Sequence, residues 1–88
     1  MPLYFFDTRD GDTFIEDEIG LEYENLEAVK VEAARSLAEL AREVVPGSVR
    51  RELTVEVRDE AGPVLLVRMI FEALILQPPR AIADTART

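Results

Sequence analysis

The chain has 88 residues, 48% of them hydrophobic, and carries 18 acidic against 10 basic side chains for a formal net charge of −8. It has no His, no Cys and no Trp, which excludes imidazole and thiolate catalysis, disulfides and nearly every zinc or iron–sulfur site. The length allows one compact domain at most.

The first segment, Leu3-Tyr4-Phe5-Phe6-Asp7-Thr8-Arg9, is rich in aromatic side chains and reads as a strand. It runs into Asp10-Gly11-Asp12, a hairpin signal because Gly tolerates the positive φ of a tight turn. With Asp10-Gly11 as the loop, Thr13-Phe14-Ile15-Glu16 is the return strand. Phe6 then lies opposite Ile15, and Phe5 lies near Phe14 on the other face. Tyr4, Phe6 and Ile15 form the expected inward set, while Asp7 and Arg9 point away. Asp17-Glu18-Ile19-Gly20 ends the strand, and Leu21 and Tyr23 lead toward a helix.

Asn25 is suited to cap that helix, since its side-chain oxygen can accept from an amide of the first turn. From Leu26 to Val45 the apolar residues Leu26, Val29, Ala33, Leu37, Leu40, Ala41 and Val44 recur in steps of three and four, which makes one helical face. Charges at Glu27 and Lys30, Glu32 and Arg35, Arg35 and Glu39, and Glu39 and Arg42 have the spacing of pairs on a wet face. Pro46-Gly47 stops the helix, with Gly47 placed for a left-handed cap.

Arg51-Glu52-Leu53-Thr54-Val55-Glu56-Val57-Arg58 alternates with period two, so Leu53, Val55 and Val57 face inward. Asp59-Glu60-Ala61-Gly62 reads as a turn ending in a left-handed Gly. Pro63 opens Val64-Leu65-Leu66-Val67-Arg68-Met69-Ile70-Phe71, apolar at almost every position. Such a strand is buried on both faces or offers one face to a partner. Glu72-Ala73-Leu74 could add a turn of helix, and residues 77–88 form a loose tail.

Hairpin, helix, hairpin is the order of a two-layer α+β domain over residues 1–76, with four antiparallel strands and one long helix across one face. A single helix covers only one side of a sheet. The other side then presents Phe5, Phe14, Val64, Leu66 and Ile70, the candidate interface, and the expected assembly is a homodimer.

Eight acids, Asp7, Asp10, Asp12, Glu16, Asp17, Glu18, Glu22 and Glu24, fall in residues 7–24 beside Arg9 alone, a local charge of −7. Hard cations favour such oxygen donors, but Gly11 sits between Asp10 and Asp12, out of step with a calcium loop. A solvated acidic hairpin that keeps an edge strand from aggregating is the simpler reading, so no metal site is assigned. Acid–base catalysis by Asp10 and Asp12, or by Asp17 and Glu18, needs environments that push their pKa values apart, and exposed turns do not supply them. Tyr4 and Tyr23 read as core or rim aromatics and not as catalytic phenols. Arg50, Arg51, Arg58 and Arg68 would answer the acidic hairpin more naturally than they would bind phosphate. No Gly-rich phosphate loop is present, and no cofactor is expected.

Pro2-Leu3-Tyr4-Phe5-Phe6, Arg9-Asp10-Gly11-Asp12, Asp17-Glu18-Ile19-Gly20 and Leu26-Glu27-Ala28 together resemble the opening of a family of small, mostly alphaproteobacterial domains of unknown function. Val57-Arg58-Asp59-Glu60-Ala61-Gly62-Pro63-Val64-Leu65 is similar to that family's second hairpin, so the resemblance spans roughly residues 2–74. At Met69-Ile70-Phe71 the chain departs from the pattern, where a Pro-Phe is expected. The resemblance implies no activity, ligand or catalytic residue.

The acidic balance sets the wrong field for nucleic acid and for an anionic membrane surface. Val64 to Leu76 is the longest apolar stretch, and it is too short to cross a bilayer. Met1-Pro2-Leu3-Tyr4 lacks the basic segment of a secretory signal. The expectation is a cytoplasmic, non-enzymatic protein-interaction module that self-associates. Two alternatives stand beside it: an acidic adaptor or antitoxin-like regulator of a basic partner, and a carboxylate-based metal-binding protein or enzyme.

Overall fold

A computed structural model describes residues 1–77. Apart from Gln77, the expected tail over 77–88 lies outside the described residues. The chain is an α+β protein. The described residues form one α-helix and five strands, one more than the sequence pattern suggests: β1 (Leu3–Asp10), β2 (Thr13–Ile15), β3 (Leu21–Glu22), α1 (Leu26–Val44), β4 (Arg50–Asp59) and β5 (Gly62–Glu72). Every strand pairing is antiparallel. The order is β2-β1-β4-β5, and β3 pairs with β1 beyond the end of β2.

The core lies between α1 and one face of the sheet. Val29, Ala33, Leu37 and Ala41 of α1 pack with Tyr4 of β1 and with Leu53, Val55 and Val57 of β4 in a single buried cluster. Burying each Val or Leu fully contributes about 1.5–3 kcal/mol. Leu40 and Val44 pack against that cluster half-buried, whereas Leu26 is exposed because it stands at the first helical position, ahead of the sheet. Asn25 caps the helix as expected, its Oδ1 accepting from the Ala28 amide at 2.9 Å. Of the spaced charge pairs, Glu32 and Arg35 meet at 2.8 Å.

The far end of the helix departs from expectation. Gly47 is not among the glycines with positive φ, so it makes no left-handed cap. The helix tightens instead into a 3-10 turn over Val45–Gly47, where Pro46 is accommodated near the start. The Ser48 hydroxyl then donates to the Val44 carbonyl at 2.6 Å and satisfies one of the last acceptors.

In the first hairpin the loop is Gly11-Asp12, one residue later than expected. Thr8 faces Ile15 and Asp10 faces Thr13. Asp10 is held in strand because it also pairs with Leu53 of β4, and the Gly11 amide donates to the Glu52 carbonyl at 3.1 Å. Gly11 has φ +59°, a conformation that Gly adopts at little cost in a tight hairpin loop. The pairing is offset by two residues from the expected one, so each side chain keeps its face. Ile15 shares the helix-side parity of Phe6, yet it is 63% exposed, because β2 is a short edge strand and an open cleft separates Ile15 from Leu40 and its neighbours on α1.

No residue of β5 is fully buried. It is an edge strand, paired with β4 on one side only among the described residues, so of the two alternatives for such an apolar strand, burial on both faces is not the one found. Glu72 continues the strand opposite Arg50, and the Ala73 amide donates to the Val49 carbonyl at 2.8 Å. The helical turn expected at Glu72-Ala73-Leu74 is absent because this pairing holds the chain extended. A register shift beside Val57 and Arg58 adds Val64 as a bulge near the start of β5.

Candidate functional site

The face of the sheet away from α1 is built from alternate residues of four strands. Register places Phe5, Asp7 and Arg9 of β1 there, with Phe14 of β2, Glu52, Thr54, Glu56 and Arg58 of β4, and Leu66, Arg68 and Ile70 of β5. A shallow concavity of about 270 Å³ on this face is lined by Asp7, Arg9, Phe14, Glu52, Thr54, Glu56, Leu66 and Arg68. Four of the five candidate interface residues, Phe5, Phe14, Leu66 and Ile70, fall on this side, and the fifth, Val64, stands at the bulge. They do not form one continuous apolar patch. The charged row of β4 separates Phe5 and Phe14 from Val64, Leu66 and Ile70.

The two aromatic members already have partners. The Arg58 guanidinium lies 4.5 Å from the centre of the Phe5 ring, and that of Arg9 lies 4.6 Å from Phe14. A cation over a ring face is attracted by the ring quadrupole. Val64, Leu66 and Ile70 are exposed without such cover.

The acidic segment is less open to water than its sequence suggests. Asp7 is only 4% exposed. One of its oxygens accepts from Arg58 Nε at 2.8 Å, and the other accepts from the Asp17 amide at 2.9 Å. Arg58 also donates to the Asp17 carbonyl at 2.9 Å and reaches Glu16 at 3.3 Å. Its hydrogen bond to Asp7, which outweighs its partial desolvation, and the neighbouring acids Asp7, Glu16 and Asp17 hold the guanidinium in its charged form. Asp10 takes Arg51 through both oxygens at 2.9 Å. Arg51 and Arg58 thus answer the acidic hairpin from within the same chain, while Arg68 lies 3.5 Å from Glu52.

Asp17 has the role that sequence reading missed. The amide of Phe6 points away from β4 toward the β2 edge, at the gap between the end of β2 and the start of β3. The Asp17 carboxylate fills that gap: Oδ2 accepts from Phe6 at 3.0 Å, and Oδ1 accepts from Ile19 at 3.0 Å and Gly20 at 3.1 Å. A side chain stands where a strand carbonyl would be. Burial alone would push the Asp17 carboxyl up, but the amides of Phe6, Ile19 and Gly20, with the Arg58 charge, outweigh it and hold the carboxyl below its ordinary value. The signal available was the D-x-x-G spacing, since an Asp that accepts from amides two and three residues ahead is a common turn device.

Gly20 completes this corner. Its φ is +76°, and a Cβ there would stand 2.9 Å from the Phe5 ring and 3.0 Å from the Tyr4 carbonyl oxygen. On the helix side, Tyr23 packs edge-on to Phe6 with ring centres 5.7 Å apart, and its amide donates to the Pro2 carbonyl. Burial first, and then the Glu32 charge, push the Tyr23 hydroxyl up against a smaller opposing effect of Arg35.

Among the described residues, no three His, Asp or Glu side chains converge as a metal shell, and no helix is long and apolar enough to cross a membrane. The carboxylates that do gather are taken up by Arg side chains and backbone amides. Fold and site together define a small α+β domain whose second sheet face is left uncovered among the described residues. Residues 3–70 match the family described as Domain of unknown function (DUF6894), and the chain belongs to that family. No curated protein and no solved structure matches it.

Proposed function

We propose that this domain works by contact and not by catalysis, and that its first partner is another copy of itself. The observation that carries this reading is the run of exposed apolar side chains along β5 and just beyond it: Leu66, Ile70, Leu74, Ile75 and Leu76. Scattered exposed apolar residues are ordinary on a monomer, but a series along one edge, interrupted only by Arg68 and Glu72, is the mark of an interaction surface. The clustered carboxylates support the same reading, because Asp7, Asp10 and Asp17 are committed to holding the fold. A general acid or base needs a carboxyl free to exchange its proton with a substrate.

Light scattering or sedimentation of the full chain across the micromolar range tests the proposal. The expected mass is a multiple of the 9.9 kDa subunit, falling toward one subunit on dilution. A mass of one subunit throughout that range refutes it.

A further inference from the structure

The two edges of the sheet are treated differently. On the β1 side the edge is closed by two strands of three and two residues and by the Asp17 carboxylate on the Phe6 amide. Ile19 and Leu21 are exposed there, but Glu16, Glu18, Glu22 and Glu24 flank them and oppose pairing of that edge with itself. On the other side β5 runs eleven residues with no strand of the described residues against its outer edge. It carries no Lys, and only Arg68 and Glu72 are charged. That is the kind of edge that pairs with another strand.

Hydrogen bonding fixes which backbone groups are on offer. The Ala73 amide bonds to Val49, in register with Phe71 opposite Arg51 and Met69 opposite Leu53. In an antiparallel ladder every second residue bonds to a given neighbour. The odd-numbered residues of β5 therefore bond to β4, and Leu66, Arg68, Ile70 and Glu72 turn their amides and carbonyls to the open edge.

A two-fold antiparallel pairing must match even residues with even residues. Centred on Arg68 it opposes two arginines, and centred on Glu72 it opposes two glutamates. Centred on Met69 or Phe71 it sets each charge against an apolar residue. Centred on Ile70 it brings Arg68 opposite Glu72 of the second copy, twice by symmetry. The same register matches Leu66 with Leu74, Met69 with Phe71, Leu65 with Ile75 and Val64 with Leu76. Leu74, Ile75 and Leu76, which are 70%, 85% and 93% exposed, thereby gain apolar partners. In the sequence, Pro63 and Pro78, which lack an amide hydrogen, bracket the run.

We infer that two copies of this chain pair β5 to β5 through Val64–Leu76, antiparallel about Ile70, with Arg68 of each copy opposite Glu72 of the other. The inference rests on the self-association proposed above and names its surface and register. The result is one continuous sheet with both helices on the same face, and the acidic segments stand at its two far ends.

Charge exchange in the full chain tests the register. Arg68→Glu and Glu72→Arg should each weaken the dimer by about tenfold or more, because each puts like charges directly opposite at two places. The double variant Arg68→Glu/Glu72→Arg should recover wild-type association. Ile70→Pro removes an outward-facing amide hydrogen without touching the β4 ladder, so it should yield a folded monomer by circular dichroism and sedimentation. Hydrogen exchange on the wild type should show the amides of Leu66, Arg68, Ile70 and Glu72 protected at high concentration and fast on dilution. If the wild type is a dimer but these variants leave it unchanged, the register is wrong while self-association stands. If the wild type is monomeric throughout, both readings fail.

Discussion

Replacing Asp17 by Asn isolates the carboxylate that stands in for a missing strand carbonyl. The amide oxygen of the new side chain can keep the bonds from Ile19 and Gly20, which share Oδ1. Its NH2 group then faces the Phe6 amide, donor against donor, where Oδ2 now accepts at 3.0 Å. A hydrogen bond to a charged acceptor contributes about 1.5–3 kcal/mol, and an orphaned donor costs a similar amount. Asp17 is half-exposed, so water relieves part of that loss. The expected cost of Asp17→Asn at neutral pH is about 1.5–2 kcal/mol, and Asp17→Ala, which removes all three bonds, should cost more. Urea unfolding followed by far-ultraviolet circular dichroism measures both. Because the folded state lowers the Asp17 pKa, its contribution is complete above the ordinary carboxylate value of about 3.9 and is lost as the pH falls through the lower folded-state value. The uncharged amide of the variant has no such loss, so the gap between wild type and variant should narrow in acid. A gap below about 0.5 kcal/mol at neutral pH, the size of an ordinary surface change, or one that does not narrow in acid, refutes the role given to this carboxylate.

Gly20→Ala should destabilise by about 2 kcal/mol or more, since the new Cβ meets both a ring and a carbonyl oxygen. Gly11→Ala, at positive φ but in open space, should cost only about 1 kcal/mol; equal shifts in urea midpoint would remove the steric argument. Leu37→Ala should cost about 2–5 kcal/mol and Glu39→Ala less than about 0.5 kcal/mol; similar losses would mean the wrong helix face. Melting curves in EDTA and in millimolar Ca²⁺ or Mg²⁺, at matched ionic strength, should differ by less than the ~4–8 °C that 1 kcal/mol moves a domain of this size. A larger rise with the ion, abolished by Asp10→Asn or Asp12→Asn, would restore the metal-binding reading.

Much of the architecture is legible from local pattern. The alternation that buries Leu53, Val55 and Val57, the helical steps from Val29 to Ala41, and Asn25 as a cap all follow from side-chain period and hydrogen-bonding capacity within a few residues. What escaped sequence reading depends on partners distant in the chain. The hairpin loop moved to Gly11-Asp12 because β4, some forty residues later, holds Asp10 in strand. Asp7 looked solvated on its own hairpin, but Arg58 and the Asp17 amide cover it. For β5, apolar at successive positions, the pattern left burial on both faces and exposure of one face as alternatives, because an open edge carries it as well as a central strand does. Periodicity reports how apolar each face of a strand is, and strand order decides what lies against it.

Charge is distributed unevenly between the two edges of the sheet. Residues 7–24 account for −7 of the net −8, and the sheet order sends this segment to the edge opposite β5. Two copies meeting through their acidic edges would set carboxylates against carboxylates, screened only beyond about 8 Å at physiological salt. Two copies meeting through β5 keep those groups at opposite ends of the joined sheet and bring together Arg68 and Glu72, charges of opposite sign. On the self-association proposed above, these acidic residues act as the sequence suggests, as a barrier that keeps their own edge from pairing with itself. That barrier leaves β5 as the edge where a second copy can add a strand without bringing like charges together.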